Sequence, residues 1–573
     1  MIVRSIASLA VVASVLAGTA ALAQDTKSAR LTARLPRAIV DPGAPGVDPA
    51  VVTQGQGFFA PSPTVFGNQP HSDKRVLKSF NALGDYDTRL LGRALVPPDT
   101  MGAVGTTQFV QLINGAFGVF DKNTGNLLGG TSDVGFWQQV GQAGTGGDPR
   151  ILFNHQNQRW IAIGFGAQNK DINIAVSDTA DALGNWKSTK FEGLAEFAPG
   201  FATIADYPTL AMDNNAIYIG TNNFRQEVAG GPTGYRGTSL FVLDKDNIFD
   251  AAGPSLTNMQ VFNTPFVSGG VNDTTRGFAI QGVNSNEATD GKGHIVAASA
   301  FVNGVLAYDI LNAGTGAATQ SASQLIYTDY TGNAPARQPG RPGLTPLRNI
   351  DTLDDRIGSN AWEVNGKTYF THTITIPGTD RTTVRVTVMD SNTKDVIQTL
   401  DLGEAGYDYY QAALAVTNGT AVVAYNRSGY DATDGKIRIY AQTLGMLSDG
   451  RLYLYGDAIL AKESHTAGYL NGNPEATGVP NGRQRWGDYA AVTLDPTDDH
   501  TFWVIGEYAA DPYEVTRPGY PAASGFSRWG QYVVAVDASV PEPATWAMMI
   551  AGFGMVGFAA RRSQRVTVRV TMA

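Results

Sequence analysis

The 573-residue chain has 16% charged residues, a formal net charge of −9, 66 glycines, 22 tyrosines, 25 phenylalanines and no cysteine. That length excludes one ordinary compact domain unless the chain is built of repeats, and the missing cysteine excludes disulfides, thiolate metal sites and thiol nucleophiles. Arg4 is the only charge before Gln24, and Glu542 stands against four arginines after Val540, so the stretch between carries −13, a sign that excludes nucleic acid and anionic lipid as partners.

Met1–Ala23 has the form of a secretory signal peptide. Arg4 is its positive start, Ile6 to Leu16 its apolar run, and Ala21-Leu22-Ala23 its cleavage site. The implied first partners are the Sec translocon and signal peptidase. Residues 24–96 read as a linker, because Pro36, Pro42, Pro45, Pro49, Pro61, Pro63 and Pro70 interrupt any regular element. Its later part is expected to lie against the body.

Residues 97–540 form the body. Short apolar runs separated by turn residues give seven strand-turn-strand units: Pro97 to Asn114, Gly147 to Phe165, Asp206 to Phe224, Phe278 to Phe301, Asp355 to Ile374, Asp408 to Asn426, and Arg485 to Tyr508. In each, a strand of small residues enters a turn such as Asp213-Asn214-Asn215, Asn365-Gly366 or Asn418-Gly419, and a β-branched or aromatic strand follows. Units recurring every roughly 50–80 residues fit four-stranded blades. The predicted fold is all-β, a β-propeller of seven blades, with six as the alternative.

After Val540 come Pro541-Glu542-Pro543, an uncharged run from Ala544 to Ala560, and Arg561-Arg562. The run suits a short membrane helix with its arginines left in the cytoplasm, so residues 541–565 are the sorting segment and 566–573 a cytoplasmic tail. Pro541, Glu542, Pro543, Trp546, Arg561 and Arg562, with Ala547, Met548, Met549, Gly552, Phe553, Gly554 and Gly557, resemble the PEP-CTERM sorting signal of Gram-negative bacteria. The resemblance implies an exosortase-type membrane protease as partner, transient inner-membrane anchoring, then release to the cell surface or outside, often with exopolysaccharide or biofilm matrix.

The body resembles secreted proteins with a sialidase-like (BNR-type) propeller at Pro97 to Gly105, Gly147-Asp148-Pro149, Asp206-Tyr207-Pro208 and Gly487-Asp488-Tyr489. The Asp-box pattern is missing; Ser177 to Trp186 holds its ingredients at stretched spacing. Asp99, Asp148, Asp206 and Asp488 share one position, just before the first strand of a unit, so they are expected to ring one mouth of the channel. There they would bind ligand together with Tyr489, hold Ca²⁺ (the one cofactor this chemistry admits), or cap turns. Arg276, Arg356 and Arg485 also stand at strand entries; converging, they would clamp a carboxylate, and otherwise they pair with local aspartates. Glu507, Tyr409 and Tyr410 are candidate glycosidase residues, beside catalytic candidates Asp488, Arg276, Arg356 and Arg485. Seven tryptophans, Trp137 to Trp529, are core residues or sugar platforms. The turns at Asp431–Gly435 and Asp495–Asp499 are weak Ca²⁺ candidates. H-E-x-x-H, G-x-S-x-G and P-loop motifs are absent. Two functions follow: an exported propeller that binds glycan or protein, or a sialidase-like glycan hydrolase acting at the channel.

Overall fold

The computed structural model describes residues 27–30 and 64–540, apart from 94, 145, 195–201, 227–232, 266–275, 288–290, 300–302, 341–348, 471–483 and 514–525. The signal-peptide and sorting-segment expectations lie outside these residues. Among the described residues no helix is long and apolar enough to cross a membrane.

The described strands are almost all antiparallel and build a β-propeller. Hairpins form where the turn chemistry placed them. Asn365-Gly366 joins Ala361–Val364 to Lys367–Thr375, and Asn418-Gly419 joins Tyr407–Thr417 to Thr420–Gly429. Gly366 and Gly419 have φ of +67° and +103°, the left-handed region that glycine enters without steric cost. Burial then follows position in the sheet. Strands near the axis, such as Gly102–Val104 and Gln108–Ile113, are buried along their whole length, because sheets stack on both faces. The outermost strand Val396–Leu402 alternates towards exposure, the pattern of a one-sided strand.

Successive inner strands touch around the axis. Gly102–Val104 meets Arg150–Asn154 on one side and Ala491–Leu494 on the other, which closes the ring. Aromatic rings fill the gaps between sheets: Phe109 stacks on Trp503 at 5.8 Å, joining the first sheet to the last, and Phe136 meets Trp186 edge-on at 5.2 Å. All seven candidate tryptophans are buried, so they serve packing, and the sugar-platform alternative does not hold for them.

Two features of the topology were not foreseen. Val76–Ala82, within the segment read as linker, is the outer strand of the last sheet, antiparallel to Phe526–Asp537 with Phe80 opposite Val533. Phe80 is fully buried, and burial of such a side chain stabilises by about 1.5–3 kcal/mol. The last sheet is therefore assembled from both ends of the body, and the ring is fastened by hydrogen bonds. Second, the expected seven separate blades are not what hydrogen bonding gives. Among the described residues, five sheets of four or five strands stand separately, and the sixth has nine strands. In it Val283 and Asn284 pair in parallel with Ala361 and Trp362, fusing two antiparallel meanders through their inner strands.

Candidate functional site

Where the inner strands begin, the chain repeats one conformation. Asp99, Asp148, Tyr207, Ala279, Leu353 and Gln411 all have φ between +48° and +59°. Non-glycine residues adopt this left-handed conformation rarely, and it costs energy that surrounding bonds must offset. Those bonds run between neighbouring sheets. Asp148 donates its backbone N–H to Asn114 Oδ1 (2.8 Å), Tyr207 N–H donates to Asp148 Oδ2 (3.2 Å), Ala279 N–H to Asn222 Oδ1 (2.9 Å), and Asp488 N–H to Asp99 Oδ1 (3.0 Å). Asn114 Nδ2 donates in turn to Asp99 Oδ2 at 2.7 Å. The strand-entry aspartates thus reach across to the next sheet's backbone as well as facing the axis.

The ring brings together Asp99, Asp148, Asp206, Asp488, Tyr489, Arg356 and Arg485, and leaves out Arg276, Tyr409 and Tyr410. Arg356 Nη1 reaches Asp488 Oδ2 at 3.5 Å while its Nε and Nη2 hold Asp354 at 2.6 and 2.8 Å. Arg485 Nη2 reaches Asp488 Oδ1 at 3.3 Å. Arg276 is elsewhere: its Nε donates to Gln320 Oε1 (2.6 Å), Nη1 to the Asn263 carbonyl, and it lies 5.8 Å from the Phe262 ring. A three-arginine clamp therefore does not form, because Arg276 is drawn to the carbonyl and amide of neighbouring outer strands.

Several members were invisible to sequence reasoning. Arg150 lies 3.4 Å from the Tyr489 ring centroid and 5.2 Å from that of Tyr207, and donates to the carbonyls of Pro208 (3.2 Å) and Gly358 (3.3 Å). Arg356 sits 4.3 Å from the Tyr207 centroid. Such contacts place cations on the electron-rich ring faces. Tyr489 donates its hydroxyl to the Pro149 carbonyl at 2.9 Å. Arg150 was legible only as a residue one position past Pro149; nothing in the spacing announced that it would cross the axis.

Crowding of carboxyls sets the electrostatics. Burial, followed by the charges of Asp488 and Asp148, pushes Asp99 well above the usual carboxylate range. Burial and then Asp488 raise Asp148. Asp206, which keeps part of its surface in the channel, is pushed up to about 7 by burial and the Asp148 and Asp488 charges, against the pull of Arg356 and Arg485. Neighbouring carboxyls of this kind share protons instead of ionising together. Glu507 is buried beside Gly487, behind the ring, and both its oxygens lack a hydrogen-bond partner. Burial first, then Asp99 and Asp85, keeps it protonated far above its usual range. Tyr409 and Tyr410 are packed inside, Tyr410 donating to Ser428 Oγ at 3.1 Å.

The cavity left beside Asp354, Arg356, Gln411, Asp488 and Tyr489 is about 20 Å³, room for a single water. Among the described residues no group of three acidic or histidine side chains is arranged to hold a metal. Asp99, Asp148 and Asp488 already accept N–H bonds. Asp434 is engaged by Arg427, Arg438 and Tyr407, and Asp495 by Lys122 (2.7 Å), Trp503 (2.9 Å) and Thr497. These oxygens do not fit a Ca²⁺ shell, which needs six to eight free oxygen ligands.

No curated protein matches the chain. Among solved structures it is similar to an endo-arabinanase from Bacillus licheniformis (13% identity over 53% of this chain and 96% of that chain, TM-score 0.27). It is also similar to a neuraminidase-like protein of bat origin (10% identity, 59% and 90%, TM-score 0.27). A third likeness is to the β-propeller domain of the Trilobed protease from Pyrococcus furiosus (9% identity, 64% and 96%, TM-score 0.29). At these TM-scores the likenesses carry no argument, and the propeller stands on the sheet topology. Residues 539–563 match the PEP-CTERM protein-sorting motif, so the chain carries an export and membrane-anchored sorting signal of the kind an exosortase processes.

Proposed function

We propose that this chain is an exported propeller, displayed at the cell surface or in the extracellular matrix, that binds glycan or protein and whose strand-entry ring serves closure. One observation carries the reading: the ring's carboxyls and guanidiniums are bonded to one another and to the backbone of the next sheet, around a cavity of about 20 Å³. A sugar ring needs an order of magnitude more space. Exopolysaccharide is the proposed matrix partner, reached after the membrane-anchored step.

The alternative, a sialidase-like hydrolase, is favoured by a different observation. Asp99, Asp148 and Asp206, all raised above the usual carboxylate range by burial and one another's charge, stand beside Asp488, and a raised carboxyl is what a general acid needs. The chain assayed on sialosides, neutral glycosides and uronides, beside Asp488→Asn, separates the two. No turnover by folded protein is the expected outcome; turnover that Asp488→Asn abolishes would establish the hydrolase at this ring.

A further inference from the structure

A second cavity lies beside the closing sheet, lined by residues other than those of the ring. It occupies about 300 Å³ between Thr64-Val65, the Gly84–Tyr86 turn, His465, and the strand ends at Tyr508–Ala510 and Arg528–Gln531. That is about fifteen times the space in the ring and falls at the lower end of the roughly 300–1,000 Å³ of small-molecule pockets.

Its walls combine aromatic faces with fixed polar groups. The rings of His465 and Tyr508 meet at 5.3 Å, and Tyr508 donates its hydroxyl to Asn81 Oδ1 at 3.3 Å. Arg528, only 5% exposed, lies with its guanidinium 5.4 Å from the Tyr86 ring centroid and 3.9 Å from Asp85 Oδ2. Asp85 is held by Arg89 at 2.7 Å, and Asp87 accepts from Thr64 Oγ1 and Gly84 N–H, both at 2.8 Å. The site is thus built. Its polar groups are oriented by bonds behind the wall, while half-buried Tyr86 and exposed His465 stand at the rim.

Charge balance selects the ligand class. Asp85 stands between the guanidiniums of Arg528 (3.9 Å) and Arg89 (2.7 Å), so both cations at this wall are already partnered by a carboxyl. A ligand with a weakly polar face for the rings and hydroxyls for the amide and guanidinium edges fits both surfaces. We propose that this cavity is a binding site for one unit of a neutral sugar, at the chain end or a branch of a glycan. The proposal rests on the glycan-binding reading above and gives it a location outside the channel.

The test is saturation-transfer NMR and calorimetry on the full-length, detergent-solubilised chain. The probes are methyl glucoside, methyl galactoside, methyl mannoside and N-acetylglucosamine, with methyl glucuronide and N-acetylneuraminate as the anionic set and dextran as a polysaccharide. At least one neutral probe should bind. Tyr86→Ala and the pocket-filling Ala510→Trp should each weaken it by about tenfold or more, and Asp488→Asn in the ring should leave it unchanged. Two rim variants of opposite kind guard against simple misfolding, which near-ultraviolet circular dichroism would reveal. Preference for an anionic probe, or neutral binding that both rim variants retain, overturns the pocket. Binding lost in Asp488→Asn alone moves the site to the ring and leaves glycan binding standing. Silence from every probe, dextran included, overturns both.

Discussion

The ring at the channel and the cavity on the closing sheet are made of the same residue types, aspartate, arginine and tyrosine, and differ in what those residues face. In the ring, Asp99, Asp148 and Asp488 each reach a neighbour across a sheet boundary, and about 20 Å³ remains. On the closing sheet, Asp85 pairs with Arg89 of its own short helix Asp85–Leu90 and Asp87 takes the Gly84 N–H before it, with Thr64 and Arg528 the contacts beyond, and about 300 Å³ remains. Polar groups bonded between elements lock those elements together; polar groups bonded within one element leave its surface free for a ligand. Residue type alone is therefore a poor guide to a site in a repeat protein, where the axis concentrates one position from every unit.

The comparison is broken most directly at Asp99. Asp99→Ala leaves the buried Asp488 N–H without its acceptor and the Asn114 amide with only the Pro97 carbonyl, and we expect a loss of about 2–3 kcal/mol in guanidinium unfolding. Asp99→Asn, which keeps one acceptor oxygen, should cost under about 1 kcal/mol. If both variants unfold like the parent, the ring is not a lock.

Next in size is the pH dependence. Asp206 and Asp87 are both pushed up to about 7 from an unfolded value near 3.8. Such groups bind protons more tightly folded than unfolded, so their contribution is fully present below about 4 and is lost as pH rises through about 7. Asp390, held down to about 2 by the backbone N–H of Thr393 and by Lys367, acts in the opposite sense and loses its contribution as pH falls through about 2. Stability is expected to peak near pH 4 and to fall from there towards pH 8, with Asp206→Asn flattening that slope. A midpoint that rises steadily from pH 5 to 8 would remove the proton-sharing account of the ring. The smallest effect belongs to the pocket: Tyr86→Ala, at a half-buried rim position, should change unfolding by under about 0.5 kcal/mol while weakening sugar binding by about tenfold or more. A large stability loss there would make the pocket a lock like the ring.

The sequence by itself determined the strands, their turns and the repeat. Asn365-Gly366 and Asn418-Gly419 act within four residues, and alternation or continuous burial is written into each strand, so these features need no distant partner. It also singled out Asp99, Asp148, Asp206 and Asp488, since one motif position recurring at each strand entry converges in any closed ring. The sorting motif was legible for the same reason, as a contiguous string.

Only the tertiary structure decided the rest. Val76–Ala82 joins Phe526–Asp537 across nearly the whole body, a pairing fixed by closure of the ring and not by either segment's own pattern. Arg276 leaves the cluster and Arg150 enters it, because a long side chain goes wherever carbonyls and aromatic faces are nearest once the sheets have stacked. The space that remains after stacking, almost nothing at the axis and a sugar-sized cavity beside the closing strand, is a sum over many contacts, and no local stretch of sequence encodes it.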